Sequence, residues 1–117
     1  MPMLANSARV FLACQPIDMR KSYQGLSVLV EQTLTQDPFS GHLFVFYNRR
    51  RDRLKILYWN LNGFCIWQKR LEKGKFQITP SDQSACAGLT IYQLHGLIQG
   101  IDWEKIPEPA KLSYRYL

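Results

Sequence analysis

Apolar positions change period several times along the chain, and each change marks an element. Residues 8 to 14, Ala-Arg-Val-Phe-Leu-Ala-Cys, are rich in apolar and β-forming types and read as a first strand, which Pro16 ends. Asp18 is placed to N-cap a helix, and Met19, Tyr23, Leu26 and Val30 then recur at helical spacing to about Leu34. Gly25 inside that helix costs about 1 kcal/mol relative to alanine, which implies close packing against another element. Gln36 to Gly41 is turn-rich, and three strands are expected after it: His42 to Asn48, Leu54 to Trp59 and Phe64 to Leu71. Asn60-Leu61-Asn62-Gly63 suits a hairpin turn with Gly63 at a positive φ. Glu72-Lys73-Gly74-Lys75 reads as a second tight turn leading to a short strand, Phe76 to Ile78. Residues 79 to 88 are polar and small and read as loop. Thr90 and Gln93 have capping-box spacing, Leu89 and Leu94 can staple it, and Ile91, Leu94, Leu97, Ile98 and Ile101 form the stripe of a second helix.

The order β-α-β-β-β-β-α predicts an α+β domain: a mostly antiparallel sheet of four to five strands with two helices packed on it. At 117 residues the chain suits one domain, expected over residues 1–103, with residues 104–117, which hold Pro107 and Pro109, as an extended C-terminal tail. A domain of this length buries roughly two-thirds of its unfolded surface, enough for a core without disulfides or metal. Cys14, Cys65 and Cys86 are odd in number and lack Cys-x-x-Cys spacing, so reduced, mostly buried thiols are expected and no metal or cofactor is called for. The first residues show no cationic segment leading into an apolar run, and no stretch approaches the ~18 apolar residues that cross a bilayer. The expectation is a soluble cytoplasmic protein with no membrane partner.

Charge changes the picture by its location. The net charge is +6, and residues 49 to 75 hold nine of the fifteen basic residues against two acids, Asp52 and Glu72. In an antiparallel meander alternate turns emerge at the same end of the sheet. The turn carrying Arg49, Arg50, Arg51 and Arg53 and the turn flanked by Lys69, Arg70, Lys73 and Lys75 should therefore meet, with Lys55 continuing along a strand. Clustered cations of this kind match the footprint of phosphate binding, and arginine suits bidentate contact. The plainer alternative is a solvated turn that keeps a sheet edge soluble. Tyr47, Tyr58 and Trp67 can stack on bases if they face outward, although Phe44, Phe46, Trp59, Phe64 and Trp67 read mostly as core.

Candidate chemistry removes more than it adds. There is no glycine-rich phosphate loop, no Gly-x-Ser-x-Gly and no His-Glu-x-x-His. Asp18, Asp37, Asp52, Asp82 and Asp102 sit where turns and caps explain them, and His42 and His95 lack an evident partner for acid–base work. The expectation is a protein that is not an enzyme. The second helix carries no arginine or lysine between Thr90 and Ile101, which disfavours major-groove reading by a helix.

Two long strings narrow the reading further. Asp37-Pro-Phe-Ser-Gly-His-Leu-Phe-Val-Phe, with Asn48-Arg-Arg-Arg-Asp-Arg-Leu-Lys-Ile-Leu-Tyr-Trp close behind, and Asn62-Gly-Phe-Cys-Ile-Trp-Gln-Lys-Arg-Leu-Glu-Lys-Gly-Lys-Phe resemble the TnpB-type accessory proteins of the insertion-sequence-sixty-six group of bacterial transposable elements. Asp18-Met-Arg-Lys with Gly25-Leu26, and Leu94 through Gly100-Ile101-Asp102-Trp103, agree with that resemblance. Ser22-Tyr23-Gln24 departs from it, where glycine, phenylalanine and aspartate are expected. The resemblance implies an accessory factor encoded beside a separate DDE-type transposase, which holds the catalytic carboxylates. It brings no binding residues with it. Two functions follow as expectations: binding of nucleic acid backbone, at element ends or target DNA, through the basic turns; or an adaptor docking the transposase without touching DNA. An RNA-binding or regulatory role is a third option, and oligomeric state is not legible.

Overall fold

The computed structural model describes residues 8–107. Strands β1 (Val10–Ala13), β2 (Leu43–Tyr47), β3 (Arg53–Asn60), β4 (Gly63–Arg70) and β5 (Cys86–Leu89) form one sheet in the order β4-β3-β2-β1-β5. Helix α1 (Tyr23–Gln32) connects β1 to β2, which run parallel, and every other pairing is antiparallel. Parallel neighbours need a crossover of a dozen residues or more, and α1 with its flanking loops supplies it. Helix α2 (Ile91–Ile98) follows β5, and a single 3₁₀ turn spans Trp103–Lys105. The fold is α+β, as expected.

The two helices cover opposite faces of the sheet. Leu26 and Val30 of α1 pack with Ala13, Phe44, Phe46 and Leu57, whereas Leu94 and Leu97 of α2 pack with Val10, Leu12, Val45, Tyr47, Leu54, Ile56 and Phe76. This explains the unbroken apolar run Leu-Phe-Val-Phe-Tyr of β2: all five residues are buried, because the central strand has core on both sides. In β3 and β4 the two faces alternate, so Arg53, Lys55, Gln68 and Arg70 share the α1 side and Lys69 the α2 side.

Four local expectations are corrected. Asp18 does not cap α1; Ser22 occupies the N-cap without a side-chain bond, and Asp18 pairs with Arg20 instead. Phe76–Ile78 is not a strand, although Phe76 and Ile78 are buried. The fifth strand is Cys86–Leu89, whose small residues had suggested loop. Between Asn60 and Gly63 the positive φ falls on Leu61, at 56°, where the Asn62 N–H donates to the Asn60 carbonyl at 2.6 Å. The Thr90–Gln93 capping box is present in both directions, with Thr90 N–H to Gln93 Oε1 at 2.8 Å and Gln93 N–H to Thr90 Oγ1 at 3.1 Å. Of the expected stripe, Ile91 is exposed and Ile101 lies beyond the end of α2, so Leu94 and Leu97 carry the buried face of the helix. Most of the proposed tail, residues 108–117, lies outside the described residues; its start belongs to the 3₁₀ turn, and Ile106 reaches Gly96 of α2.

Candidate nucleic-acid interface

Asn48 builds the first basic turn. Its carbonyl accepts from Arg51 N–H at 3.0 Å, and its side-chain oxygen accepts from Asp52 and Arg53 N–H, both at 3.1 Å. Its amide donates to Asp52 Oδ1 at 2.6 Å, a bond that, with Arg53 and Arg50 nearby, holds the Asp52 carboxyl below its usual range. Asp52 is thereby part of the turn's own scaffold. Arg51 adopts a left-handed φ of 59°, a conformation usually left to glycine.

The second basic turn is stitched to the first. Leu71 N–H donates to the Asp52 carbonyl at 2.8 Å and Phe76 N–H to the Arg51 carbonyl at 2.7 Å. Arg53 and Arg70 are direct cross-strand partners. The meander rule thus brings the turns together at one end of the sheet.

The nine basic residues then divide by what their heads touch. Arg51 Nη1 donates to the Ile78 carbonyl at 2.8 Å, tying down the segment after the second turn. Lys55 Nζ donates to the carbonyls of Met19 at 2.6 Å and Lys21 at 2.9 Å. Lys69 Nζ donates to the Ile98 carbonyl at 2.9 Å, satisfying an acceptor at the C-terminus of α2 where a cation is favoured. Arg49, Arg50, Arg53, Arg70, Lys73 and Lys75 are exposed, and the one ion pair among the described residues is elsewhere, between Arg20 and Asp18 at 2.6 Å. That pairing takes up Arg20 and holds Asp18 at about 2, chiefly through its hydrogen bonds with Arg20.

Where β3 begins and β4 ends, Met19, Arg53, Leu54, Lys55, Gln68, Lys69 and Arg70 line a groove of about 300 Å³. The Lys55 bonds fix its wall, because they anchor the Met19–Lys21 segment against β3. A second concavity of about 350 Å³ includes Arg51 and Lys75 but also Asp102 and Glu104, so its charge is compensated. Met19, Lys21 and Gln68 were absent from the sequence-derived set. Lys21 sits before α1 with its stem against Gly25, whose added Cβ would lie 3.4 Å from it, an ordinary contact within the same segment rather than the close packing against another element that the glycine implied.

The expected stacking platforms are placed differently. Tyr47 and Tyr58 are buried and Trp67 packs into the α2-side core, so none presents a free face at the basic turns. Exposed aromatic surface lies at the other end of β3 and β4, where Trp59 meets Phe39 and Phe64 edge-on and the two phenylalanines are tilted to each other, with centroids 5.0–5.2 Å apart. His42 Nδ1 accepts from Arg9 N–H at 2.9 Å, a structural bond, and His95 is exposed on the last turn of α2. Among the described residues no three His, Cys, Asp or Glu side chains converge on a metal-sized site, the three cysteines are free, and no helix is long and apolar enough to cross a membrane.

Two proteins of Sinorhizobium fredii (strain NBRC 101917 / NGR234) resemble the chain over most of its length. Uncharacterized protein y4jC is 37% identical over 108 residues, 92% of each chain. Uncharacterized protein y4hO is 35% identical over 111 residues, 92% of this chain and 96% of its own. No solved structure matches. The family model for IS66 Orf2-like proteins, TnpB_IS66, matches residues 8–108, so that the whole sheet, both helices and the basic turns fall inside it. The chain belongs to the IS66 Orf2-like family and is an insertion-sequence accessory protein.

Proposed function

We propose that the protein is a non-catalytic transposition factor that grips nucleic acid backbone with the basic end of its sheet. One observation carries the reading: Arg53 and Arg70 face each other across β3 and β4, both exposed, and neither is in an ion pair among the described residues. Like charges placed directly opposite destabilise a sheet. An anionic ligand turns that cost into a clamp, with Arg49, Arg50, Lys73 and Lys75 around it. The absence of a basic helix face predicts contacts to phosphates rather than base edges, hence low sequence specificity.

The test is fluorescence anisotropy with labelled element-end duplex and a scrambled duplex across a salt series. Six phosphate contacts would give a slope of log affinity against log salt of roughly −5. Replacing Arg49, Arg50, Arg53 and Arg70 with alanine is expected to flatten that slope by about 3 to 4. Arg51 is left intact because its guanidinium holds the fold. No binding at low salt would remove this reading and leave the adaptor, in which the same cations dock an acidic surface of the transposase.

A further inference from the structure

The groove between Met19 and the ends of β3 and β4 is more than a charged surface. A phosphate held on a flat basic patch needs no concavity, and an apolar wall gains nothing from it. This groove has both. Met19 and Lys55 both line it, and the Lys55 ammonium is engaged by the Met19 and Lys21 carbonyls, which leaves its stem as apolar lining. Arg53 and Arg70 line it as well, together with the exposed Gln68, which is the cross-strand partner of Lys55.

We propose that this groove receives one unpaired nucleotide, so that the protein binds single-stranded DNA, or a frayed end, in preference to closed duplex. The inference rests on the nucleic-acid reading above and sharpens it. Arg53 and Arg70 hold the phosphate with their paired N–H donors. The base lies against the polarizable Met19 side chain and the Lys55 stem. The Gln68 amide, a donor and an acceptor on one group, meets the base edge. A volume of about 300 Å³ is at the small end of ligand pockets. In a duplex the base is stacked and paired, out of reach of a groove, so filling it requires a base that is already free or cheaply extruded.

The experiment compares two labelled oligodeoxynucleotides of equal length, a short oligothymidylate and the same backbone with abasic residues, bound to the full chain at fixed salt. Phosphate count is identical, so backbone-only binding gives equal affinities. The expected result is at least about tenfold weaker binding of the abasic strand, the scale of one lost base contact. Gln68→Ala, at an exposed position and with its fold checked by circular dichroism, should narrow that gap. Arg49→Ala with Arg50→Ala should weaken both strands and preserve it. Photo-crosslinking of an iododeoxyuridine-substituted strand is expected to mark peptides containing Met19 or Gln68. Equal affinities, or crosslinks confined to Phe39 and Trp59, would overturn the groove while leaving backbone binding standing. Failure of both strands to bind at low salt would overturn both.

Discussion

Arg51 shows how one residue in a basic run can differ from its neighbours. It holds φ at 59°, donates through its guanidinium to Ile78 and accepts at its carbonyl from Phe76. Arg51→Ala keeps the strained backbone and loses a charged hydrogen bond, so a loss of about 1.5–3 kcal/mol is expected in urea unfolding. Arg51→Gly relieves the left-handed strain and should recover about 1 kcal/mol of that. Tyr47 is a second such case. Its hydroxyl is buried with no hydrogen-bond partner among the described residues, and burial, with Cys14 adding and Arg51 opposing, pushes its pKa from 10.0 up to about 12. The folded state therefore keeps the proton longer than the unfolded chain does. The stability this represents is present below pH 10 and is lost as pH rises through about 12. Tyr47→Phe is expected to be neutral or stabilising by about 1 kcal/mol, and to reduce the alkaline loss seen in urea midpoints on raising the pH.

At the scale of elements, legibility followed whether a pattern depended on its own residues or on a distant partner. The apolar run of β2, the turns of the meander and the Thr90–Gln93 box are all written locally, and all three form. Phe76–Ile78 alternates like a strand, but its backbone is taken up by Arg51 rather than by a neighbouring strand. Cys86–Leu89 lacks β-formers and becomes a strand because β1 has a second free edge to pair. Asp18–Lys21 has helical spacing, yet Lys55 claims the carbonyls of Met19 and Lys21, and α1 starts later. The candidate site divides in the same way. That the two turns meet followed from strand order; which cations keep free heads did not, because it is decided by the carbonyls of Ile78, Met19, Lys21 and Ile98. Helix α2 offers a test of such long-range dependence. A Cβ on Gly96 would fall 2.1 Å from Ile106 Cδ1, so Ile106 packs there only because residue 96 has no side chain. Gly96→Leu should displace the segment around Ile106 and cost about 1–3 kcal/mol by overpacking, measured as a lower unfolding midpoint. Nearby, loss of the indole packing of Trp103 would report the displacement by fluorescence.

Across the whole molecule, charge and apolar surface are separated to opposite ends of one hairpin. The basic turns and the groove lie where β3 begins and β4 ends; Phe39, Trp59, Phe64 and the exposed Leu61 lie at the far turn. The basic end carries repulsion, since Arg53 and Arg70 are opposed and neither is in an ion pair among the described residues, although the Asp52 carboxylate near Arg53 offsets part of it. Such a pair costs roughly 0.2–1 kcal/mol, and salt weakens the repulsion because the Debye length is only about 8 Å at physiological ionic strength. Thermal stability should therefore rise as sodium chloride is added, before any nucleic acid is present. Arg70→Gln removes one member of the pair at an exposed position. It is expected to raise the melting temperature at low salt by a few degrees, to flatten its rise with salt, and to weaken DNA binding. A few degrees is the scale of up to ~1 kcal/mol in a domain of this size. The two effects must oppose each other if the arginines are retained for a ligand rather than for the sheet. A variant less stable than the parent at low salt would instead mean that Arg70 supports the fold, and the case for an anion clamp at this end would have to rest on Arg49, Arg50, Lys73 and Lys75.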